Sequence, residues 1–179
     1  VDADVVARKV VEKGSPALEK LSEIFGEDIL DADGVLDRRK LAQRAFSSKE
    51  STDALNRITH PAIIELVKKN ISDFVSAGFT RIIYDAPLLF ESESDALCDA
   101  VVSVIAPLHV RMDRVKKRDG LSENEINDRF KAQHDDNFYI NKSDHVIYNN
   151  SSVEELEENT MNIISVLNEV ENGTFCENR

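Results

Sequence analysis

Arg81-Ile82-Ile83-Tyr84-Asp85-Ala86-Pro87, Ala100-Val101-Val102-Ser103-Val104-Ile105 and His145-Val146-Ile147-Tyr148-Asn149 are three short runs rich in β-branched residues. None alternates apolar with polar positions, the pattern of a strand with one wet face. Each is therefore expected to be a strand covered on both sides, as in a parallel sheet. Prolines close the first two runs, Pro87 and Pro107, and proline cannot donate to a ladder. Helical patterns follow the second and third runs: Leu108 to Lys117, Glu123 to His134, and Val153 to Val170. Ser122 with Glu125, and Ser152 with Glu155, have the spacing of capping boxes and fix two of those starts. Strands alternating with helices specify an α/β layer fold.

Outward from this region, the chain towards its start reads differently. Val1-Asp2-Ala3-Asp4 is expected to end a strand and enter a helix, with Asp4 as N-cap of Val5 to Lys13 and Gly14 as the stop. Ser15-Pro16 opens a second helix, with Leu18, Leu21 and Phe25 on one face and Gly26 behind it. Asp33-Gly34 is a turn, and Asp37 caps a helix that runs to Phe46. Ser48 to Ile58 reads as a further helix. Pro61 reads as the start of a separate, longer one, carrying Ile63, Val67, Ile71 and Phe74 and ending at Gly78. Pro16 to Ala77 holds no convincing strand, so it is expected to be a helical insert in the α/β layer. The polar end, Glu171 to Arg179, is expected to fray.

The 179 residues carry 22 Lys and Arg against 34 Asp and Glu, a net charge of −12. Such a surface repels nucleic acid, whose binding needs dense cation, and leaves room only for small anions held by a local basic cluster. Cys98 and Cys176 have neither metal spacing nor a disulfide framework, which suits reduced thiols and a cytosolic location. No apolar run is long enough to cross a bilayer, so no membrane partner is expected.

Several residues carry chemistry in these positions. In an extended segment Asp2 and Asp4 would project to the same side, at a strand end where open α/β sheets bind ligands. Such a pair can hold a divalent ion or take a proton from a hydroxyl; the plainer reading is a helix cap and a solvated end. Asp85 ends an apolar run, as a carboxylate near a nucleotide's metal does, and Glu91 follows it. From His109 to Arg118 five cations, Arg111, Arg114, Lys116, Lys117 and Arg118, face one Asp113. That is a local charge of +4, leaving −16 for the rest of the chain. Arg binds phosphate bidentately, so the segment suits an anion clamp, or equally a solvated helix with cations at its C-terminal end. Arg129 and Gln133 are one helical turn apart and are expected to face the same way. His60 precedes Pro61 at an expected helix start. Asn149 and Asn150 follow the third strand, where Asn can read a base edge or form a turn.

Taken in order, Val-Asp-Ala-Asp-Val-Val-Ala-Arg (1 to 8), His60-Pro61, Pro87-Leu88-Leu89-Phe90-Glu91, Arg114 through Arg118-Asp119-Gly120-Leu121-Ser122, Arg129 with Gln133, and Asp144-His145-Val146-Ile147 with Asn149 resemble the dephospho-CoA kinase family, from Val1 to about Leu167. The resemblance implies a P-loop NTPase-like α/β fold: a parallel sheet with helices on both faces, a helical CoA-binding insert and a helical lid. On this chain the core would be residues 1–14, 78–107 and 145–172, the CoA-binding domain 15–77 and the lid 108–144. It implies transfer of the ATP γ-phosphate to the ribose 3′-hydroxyl of dephospho-CoA, with Mg²⁺. Other implied readings are a P-loop kinase for another nucleoside or nucleotide, or a non-catalytic CoA-binding fragment.

By the same resemblance Asp4 matches the general base and Asp2 the neighbouring carboxylate, a candidate metal ligand. Arg8, His60, Pro87, Leu88 and Glu91 match substrate-binding positions. Arg114, Arg118, Arg129, Gln133 and Asn149 match lid and ATP positions. The family opens with a strand and a Walker-A loop, G-x-x-x-x-G-K-[ST], and these 179 residues contain no such run. That loop supplies a backbone cradle for phosphate. If nothing precedes Val1, the chain is expected to lack kinase activity and to be poorly stable, with sheet edges left unpaired.

Overall fold

In the computed structural model of the chain, residues 1–120, 122–131 and 133–171 are described, without the side chains at 128, 129, 131, 170 and 171. The chain divides into two units, Val1–Cys98 and Asp99–Arg179.

The first unit is mainly helical: α1 (Ala3–Lys9), α2 (Pro16–Phe25), α3 (Arg38–Ala45) and α4 (Lys49–Ser76). Each of these starts on a side-chain cap. Ser15 accepts from the Leu18 N–H, Asp37 from Arg39 and Lys40, and Ser48 from Ser51. The cap of α1 is Asp2, not Asp4, and α1 spans Ala3–Lys9 rather than Val5 to Lys13. The apolar faces of the four helices meet in one core that includes Val6, Leu21, Phe25, Leu41 and Val67. Leu21 is fully buried, which stabilises the fold by roughly 1.5–3 kcal/mol relative to leaving it exposed.

The helices expected over Ser48 to Ile58 and from Pro61 onwards are one 28-residue helix with Pro61 inside it. Proline removes one helical donor, and the α conformation is disfavoured for the residue before it. Here Leu55 and Ile58 before Pro61, and Ala62, Ile63 and Leu66 after it, pack against the same core. Packing on both sides of the proline outweighs the local penalty. Gly26 ends α2 at φ +96°, a conformation L residues rarely adopt. A Cβ at Gly26 would lie 2.7 Å from Arg44 Nη1 and 2.9 Å from Asp28 Oδ1. These are the atoms of an ion pair that ties α3 to the short turn Glu27–Ile29 after α2 and holds the Asp28 carboxyl below its ordinary range.

Arg81 to Pro87, expected to be a strand, does not form a ladder, and Pro87 lies in a turn. Asp85 alone makes a parallel bridge, with Asp2: Asp85 N–H donates to Val1 O and Ala3 N–H to Asp85 O, both at 2.8 Å. The Val1 ammonium donates to Ile83 O at 2.6 Å. The partner segment turns into α1 straight after Asp2, so pairing stops there.

In the second unit β1 (Val102–Ile105) and β2 (His145–Tyr148) pair in parallel, Val102 opposite His145 and Ile105 opposite Tyr148. Between and after them lie α5 (Leu108–Asp119), α6 (Glu123–Lys131), α7 (Asp136–Lys142) and α8 (Val153–Glu171). α7 and α8 pack on the strands, as parallel pairing with helical crossovers requires. The Ser122–Glu125 box is formed: Glu125 Oε2 accepts from Ser122 N–H at 2.9 Å, and Ser122 Oγ accepts from Glu125 N–H at 3.4 Å. The second box is half formed. Ser152 Oγ accepts from Glu155 N–H at 3.3 Å, but the Glu155 carboxylate takes the Ser151 hydroxyl instead. The helix expected to reach His134 ends at Lys131, and His134 stacks on Phe138 with ring centroids 3.8 Å apart. Of the stretch expected to fray, Glu171 to Arg179, Glu171 closes α8, and 172–179, with Cys176, lie outside the described residues. Among the described residues no helix is long and apolar enough to cross a membrane.

Candidate active site

Asp2 and Asp4 do not project side by side from a strand. Asp2 is extended, at φ −95° and ψ 117°, and its Oδ1 accepts the Val5 N–H at 3.0 Å. Asp4 already lies in the first turn of α1, so the two-residue period of a strand no longer applies between them. Both side chains are exposed. What holds them is the bridge to Asp85, which fixes the point where extended chain becomes helix. A carboxylate in that first turn is favoured by the helix dipole. Arg8 is exposed in the last turn of α1, and its carbonyl accepts from Arg38 Nη2 at 3.4 Å.

After Asp85 the chain runs through Pro87 and Leu88, both exposed, to Glu91, which is half-buried. The segment is tied down at Ser94, 1% exposed, whose hydroxyl lies 2.9 Å from Ser92 Oγ and 3.4 Å from the Tyr84 hydroxyl. His60 sits in the middle of α4 rather than at a helix start. It is half-buried, and burial pushes its imidazole below the ordinary value of 6.5, so it is neutral at pH 7.

In the second unit the cationic stretch forms α5, but its charge is largely matched. Arg111 pairs with Asp136 at 2.8 Å and Lys116 with Glu123 at 3.3 Å. Arg118 holds Asp119 through both Nε, at 2.7 Å, and Nη2, at 3.0 Å. The Asp119 carboxylate raises the Arg118 guanidinium further above its already high range. The acid partners lie outside the ten-residue window that gave the +4 count. Arg114 differs: its Nη2 donates to the neutral amide of Asn149, Oδ1 at 3.0 Å. The structure therefore brings together two of the residues expected around ATP. Arg129 lies on α6, with its side chain outside the described residues. Gln133 is beyond the end of α6, and its N–H donates to Phe130 O at 3.2 Å, so it does not share a helix face with Arg129. One residue that the sequence reading passed over shapes this unit: Asp136 anchors Arg111, and its signal was the surplus of acid beyond the basic run. Asp144, which opens the quoted Asp144-His145-Val146-Ile147 motif, accepts the Val101 N–H through Oδ2 at 2.8 Å beside the β1–β2 pairing.

Among the described residues no group of three or more His, Cys, Asp or Glu side chains is set to hold a metal. Asp2 and Asp4 are hard oxygen donors, and Mg²⁺ is commonly held by one or two carboxylates with substrate phosphates completing its shell. The donor set fits that mode of binding.

A family profile described as dephospho-CoA kinase (CoaE) matches residues 1–155. The dephospho-CoA kinase of Corynebacterium glutamicum is 41% identical over 165 residues, covering 92% of this chain and 82% of that protein. The dephospho-CoA kinase of Bacillus cereus is 38% identical over 153 residues, 86% of this chain and 76% of that one. Among solved structures, TT1252 from Thermus thermophilus superposes with a TM-score of 0.76 at 30% identity, over 93% of this chain and 83% of that one. The dephospho-CoA kinase of Campylobacter jejuni gives 0.67 at 24% identity, over 98% and 86%, and speaks for the fold. With parallel strands, covering helices and a P-loop NTPase-like architecture shared with these structures, the chain belongs to the dephospho-CoA kinase family.

Proposed function

We propose that the chain transfers the γ-phosphoryl group of ATP to the ribose 3′-hydroxyl of dephospho-CoA. The observation that carries this reading is the position of Asp4, exposed in the first turn of α1 and held there by the Asp2–Asp85 bridge. A ribose hydroxyl is a weak nucleophile until a carboxylate accepts its proton. Asp4 takes the 3′-hydroxyl proton as the oxygen bonds to the γ-phosphorus. The bond from that phosphorus to the β,γ-bridging oxygen breaks, and ADP leaves. Asp2, engaged as the cap, fixes the helix that carries Asp4. Mg²⁺ would be held by the Asp2 carboxylate, through the oxygen outside the cap bond, with the ATP phosphates, and would neutralise charge on the transferring group. Arg114 and Asn149 support the nucleotide, and Arg8, His60 and Glu91 belong with the acceptor.

The test is a coupled ADP assay with dephospho-CoA on wild type and Asp4→Asn. The expected result is a kcat lowered at least a hundredfold with KM for dephospho-CoA changed less than threefold. Losses shared equally between kcat and KM would assign Asp4 to binding instead. Equal turnover of AMP or nucleosides in place of dephospho-CoA would assign the chain a different acceptor.

A further inference from the structure

α5 lacks the two things that ordinarily fix a helix. Pro107 stands at its start with no side-chain cap, and none of its residues is fully buried. It nevertheless carries Arg114, whose contact with Asn149 belongs to the proposed nucleotide site. We propose that Arg111 is a positioning residue for ATP: it clasps α5 to α6 and α7 and so aims Arg114 at Asn149, rather than meeting a phosphate itself. The inference rests on the proposed use of ATP and adds what holds the residue that supports it.

The Arg111 side chain is 29% exposed, against 57% for Lys116 and 73% for Arg118 on the same helix. Its guanidinium is engaged on two sides. Nη2 donates to Asp136 Oδ1 on α7 at 2.8 Å, and Cζ lies over the Phe130 ring of α6, 5.2 Å from its centroid. Nε is buried with no hydrogen-bond partner among the described residues. A buried N–H left unpaired is costly, so Asp136 and Phe130 set the orientation of the group against its own hydrogen-bonding needs. Lys116 and Glu123 also join α5 to α6, but that pair is exposed, and such pairs contribute little.

Both ends of the Arg114–Asn149 contact trace back to one strand. The Asn149 N–H donates to Ile105 O, at the end of β1, at 2.7 Å. α7 is tied to β1 through two hydroxyls. Ser143 Oγ donates to Tyr139 O at 2.8 Å, so the 2.6 Å bond between Ser143 and Ser103 takes its proton from Ser103. From Ser103 the connection runs through α7 to Asp136, across to Arg111, and three residues along α5 to Arg114, its neighbour on the helix surface. Removing Arg111 or Asp136 opens this circuit and leaves Arg114 and Asn149 in place. The two roles open to Arg111 also differ in sign at Asp136. An arginine that bound phosphate would gain from losing the competing acid, whereas one that positions α5 needs it.

Calorimetry on the full chain, with ATP and dephospho-CoA as separate probes, reads that sign. Asp136→Ala and Arg111→Met are each expected to weaken ATP about fivefold and to leave dephospho-CoA within about twofold. In an Arg114→Met background either change is expected to weaken ATP less than about twofold further, because the side chain they aim is gone. Circular dichroism establishes that each variant is folded, and Asp136→Ala is sufficient if Arg111→Met does not fold. If wild type binds ATP and folded Asp136→Ala binds it equally or more tightly, the positioning role is overturned and the kinase reading stands. Losses that multiply with that of Arg114→Met also overturn it and make Arg111 an independent contact. If wild type does not bind ATP, the nucleotide reading fails and this inference with it.

Discussion

Asp2 and Asp85 lie side by side in a parallel bridge, and at that bridge the chain passes from extended to helical. The two hydrogen bonds, each 2.8 Å, hold the backbone on both sides of Asp2. The Asp2 carboxylate then accepts the Val5 N–H and starts α1. The neighbouring acids thus have separate tasks. Asp2 sets the helix, and Asp4 is presented by it.

This division is measurable as stability. Asp2→Ala removes the cap and is expected to cost about 1 kcal/mol in urea unfolding, whereas Asp2→Asn, which caps equally well, is expected to cost little. Asp4→Asn leaves the cap intact and is expected to stay within about 0.5 kcal/mol of wild type. If Asp4→Asn proved the more destabilising change, the cap would have been assigned to the wrong acid.

Much of this fold is legible in the sequence because local signals and packing agree. Ser15-Pro16 and Gly26 bracket α2, Asp37 starts α3, and the Ser122–Glu125 box starts α6. Reading fails where tertiary contacts outvote a local rule. Pro61 looks like a helix start because an interior proline is costly, yet Leu55 to Leu66 share one buried face, which no single-residue preference reveals. Arg81 to Pro87 has strand composition, but a ladder needs a partner, and its partner bends into α1 after one bridge. The basic run on α5 reads as +4, while Asp119, Glu123 and Asp136, which match it, lie beyond the window. The family motif marked Arg114 and Asn149 separately; only the fold brings Arg114 Nη2 to Asn149 Oδ1.

His60 gives a pH dependence with a definite sign. Burial holds the folded imidazole below its ordinary value of 6.5, while the unfolded chain titrates near that value. Between the two the unfolded state binds more protons, so stability rises with pH across that window. His60 contributes no penalty above about pH 6.5, and stability is lost as pH falls below that value towards the folded pKa. Urea midpoints measured from pH 5 to 7.5 are expected to fall on the acid side for wild type and to flatten in His60→Gln. An unchanged slope in that variant would place the acid sensitivity elsewhere.

The Arg114–Asn149 contact makes a last prediction about ATP. A guanidinium bonded to Asn149 Oδ1 fixes the amide, so that the NH₂ side faces away from Arg114 as the donor. If the two residues act as one unit on the nucleotide, removing either one forfeits most of the benefit of both. Arg114→Met and Asn149→Ala are each expected to weaken ATP binding by about tenfold, and the double variant by little more than either, a coupling of roughly 1 kcal/mol. Arg114→Lys keeps a charge but loses the planar fork, and is expected to recover less than half of the loss. The comparison is made by calorimetry with ATP at low and at high salt, because an unspecific charge effect would be screened and a geometric one would not. Multiplicative losses in the double variant, or full recovery by lysine, would reduce Arg114 to a point charge independent of Asn149.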